Sequence, residues 1–454
     1  MSNERHSADR RGSRPVGKTR PQPHAGGVRT GAPVLTRIEQ IRSALGDILQ
    51  WSGPADGALS RWLRAHPRLG MRDRAEVAEA VYDVLRNLRR YRQLAESGRG
   101  NATRRLAVLG LARVLGPAQV RPMLEPDEAA WLERVWRIDG ETLPRAVRHS
   151  MPDWLDEVIG QMPEPEALMA ALNQPAALDI RVNPLKADRD TILAELVSFW
   201  EADGSQGQPP QATPWSPWGI RIHGRTALNR WSRFTDGSVE VQDEGSQLLA
   251  LLVGPKRGEM IIDFCAGAGG KTLLIGALMR STGRLYAFDV SQSRLARLGP
   301  RLARSGLSNV EPVTIANEND TRVKRLSGKA HRVLVDAPCS GTGTLRRNPD
   351  IKWRQNPEAL DELSSLQARI LASAARCVAP GGRLVYATCS LLEQENEAQA
   401  RAFLVSHPEF REVPVGQILE GRSALPVTGP YLKLRPDQHG TDGFFAAVFE
   451  RGTN

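Results

Sequence analysis

Arg332-Val333-Leu334-Val335-Asp336-Ala337-Pro338-Cys339-Ser340-Gly341-Thr342-Gly343 begins with a short apolar run and stops abruptly at an acid, a proline and a cysteine. A buried parallel strand reads this way when it delivers polar side chains to the carboxyl edge of its sheet. That edge is where open α/β sheets bind their ligands. Leu384-Val385-Tyr386-Ala387 repeats the pattern and runs into Thr388-Cys389-Ser390. Two cysteines at two strand ends, with Asp336 beside the first, predict a catalytic site.

The same texture extends outward. Met260-Ile261-Ile262-Asp263 and Leu285-Tyr286-Ala287-Phe288-Asp289 read as strands, as does the stretch from Val310 to Ile315. Apolar periodicity predicts helices over 272–279, 292–305, 357–378 and 393–406, and Phe444 to Phe449 closes the chain as a last strand. Strands alternating with helices predict an α/β domain over residues 236–454, built on a mainly parallel, doubly wound sheet. Right-handed crossovers then bring these strand ends to one edge.

Two loops at that edge suggest a cofactor. Cys265-Ala266-Gly267-Ala268-Gly269-Gly270-Lys271 lies between a strand and a helix. Its glycines allow close backbone approach, and the helix N-terminus offers N–H groups to an anionic group such as a carboxylate. It is neither a P-loop nor the dinucleotide G-x-G-x-x-G. Asp289 ends the next strand, where an acid accepts hydrogen bonds from ribose hydroxyls; alone it also fits a helix N-cap. Together the loops predict a nucleoside with an amino-acid tail, S-adenosylmethionine.

The cysteines suit methylation of a pyrimidine ring. Carbon 5 of cytosine or uracil is too weakly nucleophilic to take a methyl group directly. A thiolate adding at carbon 6 makes the ring enamine-like and activates carbon 5. An acid at N3 stabilises the charge that develops, and a base must later remove the carbon 5 proton so that the thiol can leave. Asp336, Cys339 and Cys389 fit these needs, and the residues alone rank the two cysteines equally. Either cysteine alone would also read as a small packing residue.

A chain of 454 residues predicts two or three domains. The net charge of +10 and pI near 9.8 favour an anionic partner, nucleic acid first. Four widely spaced cysteines give neither a disulfide framework nor a zinc pattern, so a reducing cytoplasm and no metal are expected. No apolar stretch is long enough for a membrane span. Residues 1–33 read as a disordered basic tail. Residues 34–148 carry helical periodicity, with Ile38, Ile41 and Ile48, then Val77, Val81 and Val84, on repeating faces. Arginines cluster at 61–74 and 86–92, as an RNA grip or as a solvated face. Residues 149–235 read as a small α+β insert. It has a strand before Pro184, a helix capped by Asp190, a mobile loop near 203–217 and a strand at Gly219-Ile220-Arg221-Ile222. Trp215 and Trp218 fit loop anchoring better than base stacking.

The motifs together resemble the NOL1/NOP2/Sun family of RNA cytosine-5 methyltransferases, above all its bacterial 16S ribosomal RNA enzymes. The matching residues are Asp263-x-Cys265-Ala266-x-x-Gly269-Gly270-Lys271-Thr272, Asp289, Asp336-Ala337-Pro338-Cys339-Ser340-Gly341-Thr342-Gly343, Ala387-Thr388-Cys389-Ser390 and Asp442-Gly443-Phe444-Phe445. Pro152-x-Trp154-Leu155 and Arg181-Val182-Asn183 are similar to the family's RNA-recognition insert, and the helical front resembles a NusB-like RNA-binding domain. The resemblance implies a Rossmann-like class I methyltransferase domain and a monomer acting on RNA. It assigns residues 265–271 and Asp289 to S-adenosylmethionine, and sets Asp336 between cofactor and base. It makes Cys389 the nucleophile and gives product release to Cys339. Two departures stand out. Gly267-Ala268 replaces Ala-Pro, and Asn317 falls where an acid contacts the adenine, with Asp320 as the alternative. Transfer RNA as substrate, and a non-catalytic ribosome-assembly factor, are the competing readings.

Overall fold

In the computed structural model, residues 36–205, 207–224 and 226–453 are described. The basic tail expected over residues 1–33 lies outside them.

The strands run β1 (Leu178–Val182), β2 (Gln211–Ala212), β3 (Gly219–Ile222), β4 (Val239–Val241), β5 (Met260–Asp263), β6 (Arg284–Asp289) and β7 (Val310–Thr314). They continue with β8 (Ala330–Asp336), β9 (Val378–Thr388), β10 (Phe410–Glu412), β11 (Leu432–Leu434) and β12 (Phe444–Arg451). The large sheet has the order β10-β12-β9-β8-β5-β6-β7, with β11 paired to β12. Neighbours from β9 to β7 are parallel, and β12 runs antiparallel to β9. The chain leaves β5 toward β6 and β7, then returns to β8 on the other side of β5. That reversal opens a crevice at the carboxyl ends of β5 and β8, the place where such sheets bind ligands. Both faces are covered. Leu248, Leu252, Ile275 and Leu334 pack on one side, and Phe288, Val335, Leu371 and Tyr386 on the other. Continuous apolar strands such as Val333-Leu334-Val335 follow from this two-sided burial.

The front is all helical, with helices Arg37–Ile48, Ala55–Ala65, Met71–Arg86, Leu88–Glu96, Ala102–Leu115 and Pro126–Trp136. Ile38, Ile41, Val77, Val81 and Leu109 meet in its core. The small sheet has the order β2-β3-β1-β4, covered by helix Arg189–Ala202 through Ile192 and Leu196. Three expectations for this region are corrected. β4, on the catalytic side of residue 235, pairs with β1 in the small sheet. The loop near 203–217 carries edge strand β2. The helix cap is Asp188, whose carboxylate accepts from the Thr191 amide at 2.9 Å, rather than Asp190.

Among the described residues, no helix is long and apolar enough to cross a membrane.

Candidate active site

β8 ends at Asp336, which lies opposite Ala387 of β9. Pro338 cannot continue the ladder, so the chain turns and presents Cys339 toward the end of β9. The two sulfurs, Cys339 Sγ and Cys389 Sγ, are 3.4 Å apart. The turn is closed by backbone contact: the Gly343 amide donates to the Cys389 carbonyl at 2.9 Å, and the Gly443 amide donates to the Gly343 carbonyl at 2.8 Å. A Cβ on Gly343 would lie 2.2 Å from the Gly443 carbonyl oxygen, so glycine is required there. The sulfur contact with Cys389, then burial, raises the Cys339 pKa well above the usual thiol range.

Lys271 Nζ donates to Asp336 Oδ2 at 2.7 Å and lies 5.9 Å from the centre of the Phe444 ring. Burial opposes the ammonium charge, but the Asp336 carboxylate outweighs it and the Lys271 pKa is raised. The pair links the glycine loop to the cysteine strands.

The glycine loop is fixed at both ends. Ala266 donates its amide to the Phe288 carbonyl at 2.8 Å, Gly267 donates to Asp289 Oδ2 at 2.9 Å, and Arg301 donates to the Ala268 carbonyl at 2.7 Å. Gly267 and Gly269 have φ of 58° and 82°, which side-chain-bearing residues rarely adopt. Helix Gly270–Leu278 starts with no side-chain cap, leaving its first amides for a ligand. Cys265 sits in the same loop, and burial pushes its thiol pKa up. Asp289 takes the Ser291 amide at 2.7 Å and Arg294 at 2.9 Å on Oδ1, while Ser291 is the helix cap. Asp263 accepts from the Thr272 hydroxyl at 2.6 Å through Oδ2, and its buried Oδ1 is unpartnered. Burial raises its pKa to about 7. An open glycine loop, uncapped amides and two acids at adjoining strand ends fit a nucleoside with an amino-acid tail. Near β7, Asp320 is taken up locally. Its bonds to Arg322 and to the Ala316 and Arg322 amides hold its carboxyl well below the usual range. Asn317 accepts from the Asn319 amide at 2.9 Å through Oδ1.

Sequence reading missed the buried bracing. Glu395 is fully buried and accepts from the Ser340 amide at 2.7 Å, the Ser340 hydroxyl at 2.5 Å and Gln367 at 2.9 Å. Asn396 bridges the Thr388 hydroxyl at 2.6 Å and the Ser390 carbonyl at 2.9 Å. These residues stand in a polar run, Glu393-Gln394-Glu395-Asn396-Glu397, whose composition reads as surface. The one local signal is their place directly after Thr388-Cys389-Ser390.

A switch-point glycine loop, an acid ending the next strand and paired thiols on a doubly wound sheet define a methyltransferase of the Rossmann-like class. Two family models match: 16S rRNA methyltransferase RsmB/F over residues 250–450, and the RsmF/B-like ferredoxin-like domain over residues 151–229. The probable ribosomal RNA small subunit methyltransferase B of Synechocystis is 33% identical over 443 residues, covering 90% of this chain and 97% of that protein. Ribosomal RNA small subunit methyltransferase B of Sodalis glossinidius is 36% identical over 309 residues, 68% of this chain and 67% of that one. The crystal structure of PH0851 aligns with TM-score 0.71 at 28% identity, over 91% of this chain and 97% of that one. NSun6 from Pyrococcus horikoshii, solved with SFG, shares the fold at TM-score 0.57 and 20% identity, over 67% of this chain and 98% of that one. The chain belongs to the RsmB/F family of 16S rRNA methyltransferases.

Proposed function

We propose that the protein transfers a methyl group from S-adenosylmethionine to carbon 5 of a cytosine in 16S ribosomal RNA, through a covalent bond between Cys389 and carbon 6. The observation that carries this reading is the pair of sulfurs 3.4 Å apart beside the Lys271–Asp336 pair. When bound, the cofactor supplies an electrophilic methyl group. Residues 265–271 cradle it, Asp289 takes its ribose, and Asn317 meets its adenine side. Cys389 adds to carbon 6 as a thiolate. A proton shared between Asp336 and N3 would take up the negative charge that develops there, and Lys271 would balance the carboxylate. Cys339 serves product release as the base that takes the carbon 5 proton; the electron pair left behind re-forms the 5,6 double bond as the carbon–sulfur bond breaks and Cys389 leaves as a thiolate. Loop, acids and both thiols come from one chain, so a monomer suffices. Ribosomal RNA as substrate implies action in the cytoplasm.

Labelled methyl transfer to protein-free 16S ribosomal RNA, with bisulfite mapping of RNA from cells with and without the protein, tests the reading. One cytosine protected only when the protein is present is expected. Protection confined to transfer RNA would move the substrate, and bound RNA without any transfer would make the chain an assembly factor.

A further inference from the structure

A cavity of about 550 Å³ lies where the front helices meet the start of the α+β insert, and none of its walls belongs to the site above. Arg86, Arg90, Arg113 and Arg148 line it against one carboxylate, Asp83. Asp83 is already engaged: the Tyr91 hydroxyl donates to it at 2.6 Å and the Asn87 amide at 3.1 Å. Arg148 is paired with Glu141 at 2.7 Å and Glu166 at 2.9 Å, but the other guanidiniums are under-used. Arg90 and Arg113 make no hydrogen bond or ion pair with described residues, and the buried Nε atoms of Arg86, Arg90 and Arg148 have no acceptor. Arg86 is only 9% exposed and spends Nη2 on the Arg346 carbonyl at 3.0 Å. Unsatisfied buried donors on several arginines call for an acceptor-rich anion. Trp136, the last residue of helix Pro126–Trp136, lies in the same wall with 39% of its surface exposed. An exposed indole beside free guanidiniums matches a nucleotide, with phosphate on the arginines and base on the ring. The volume suits one such unit.

We propose that this cavity holds a single-stranded nucleotide of the substrate RNA, its phosphate on Arg90 and Arg113 and its base against Trp136. The inference rests on the reading of the protein as an RNA-modifying enzyme. Because Arg86 also bonds the carbonyl of Arg346, downstream of Cys339 in the same segment, the anchor joins a segment that leads to the reacting thiols.

The test measures binding of protein-free 16S ribosomal RNA and of a short uridine oligomer to the full chain at several salt concentrations. R90A/R113A should bind both about tenfold more weakly, with a salt slope shallower by roughly 0.7, the value for one lost single-strand phosphate contact. R90K/R113K keeps the charge and should keep the slope, which separates lost contact from misfolding. W136A should lose about tenfold in affinity, and W136F should recover most of it. With 16S ribosomal RNA in methyl-transfer assays, the KM for RNA should rise in R90A/R113A while kcat at saturating RNA stays at the parental value. Parental affinity and slope in R90A/R113A overturn the proposal, as does a parent that binds neither RNA. A parent that binds RNA through these residues but transfers no methyl group leaves the pocket standing and sinks the enzymatic reading instead.

Discussion

Cys389 directly follows β9 and its carbonyl is held by the Gly343 amide, whereas Cys339 rides on a turn braced through Ser340. At 3.4 Å the sulfurs share one site, so removing either exposes the role of the other. Cys389→Ala should lower methyl transfer on the order of a thousandfold or more and form no protein–RNA adduct. Cys339→Ala should accumulate an adduct that survives a denaturing gel, because addition still occurs and release does not. The reverse pattern would exchange the two roles. Asp263 supports a second prediction. Its native pKa of about 7 lies above the unfolded value near 3.9, so the native state holds the extra proton between those limits. Stability therefore falls as pH rises from about 4 to about 7, by on the order of 4 kcal/mol, and levels off above. Asp263→Asn cannot ionise. In urea unfolding its stability relative to the parent should climb through that window, and a difference flat with pH would refute the assignment of the proton to Asp263.

Residues 342–355 act as one element, a strap running from the cysteine turn to the front helices. Arg347 bonds Asp442 at 2.7 Å, Asp243 at 2.9 Å and the Ala177 carbonyl at 3.0 Å, so the strap, the segment before β12 and the insert share one half-buried cation. At the turn itself, Glu395 satisfies both polar groups of Ser340. Glu395→Ala leaves the Ser340 amide buried without an acceptor and the Ser340 hydroxyl with only the Thr342 and Ser390 hydroxyls, so it should destabilise the protein by about 3 kcal/mol and lower kcat while the KM for cofactor holds. Glu395→Gln, which keeps a side-chain oxygen acceptor, should regain part of both. Equal loss of cofactor affinity would show a collapsed sheet edge rather than a displaced thiol. The parallel strands were legible because burial on both faces writes a continuous apolar run that stops at a polar residue, as at Asp263, Asp289, Asp336 and Thr388. β2 and β4 were not, because edge strands of two and three residues are too short to display a period. Glu395 was invisible for another reason: its partners Ser340 and Gln367 are distant in sequence, and only the fold makes an acid run internal. The arginine clusters were half misread. Arg74 donates to the Leu63, His66 and Leu69 carbonyls, and Arg89 to the Met151 carbonyl, so both cap backbone instead of facing solvent.

Across residues 37–454 the front helices, the insert and the large sheet meet at Lys352. Its ammonium is 1% exposed and donates to the Arg86 carbonyl at 2.8 Å and to Asn173 Oδ1 at 2.9 Å. Around it, Trp353 donates to the Leu85 carbonyl at 2.7 Å and Ala55 donates its amide to Asp350 at 3.1 Å. A buried cation held by neutral acceptors is a costly joint. Burial, helped by the nearby Arg86 charge, pushes the Lys352 pKa well below its usual value. The folded state therefore gives up this proton before the unfolded chain does. Between the two pKa values the unfolded chain binds more protons, so stability rises with pH up to about 10.4, the unfolded value. Lys352→Met keeps the length of the side chain and removes the charge. At neutral pH it should unfold at a urea concentration equal to or above that of the parent, since the ammonium no longer has to be desolvated. As pH climbs, the parent sheds the same charge and the difference should shift steadily in the parent's favour. What remains at high pH measures the two hydrogen bonds to Arg86 and Asn173 alone. A difference between the two proteins that does not move with pH would mean that Lys352 is not the group whose burial strains this joint.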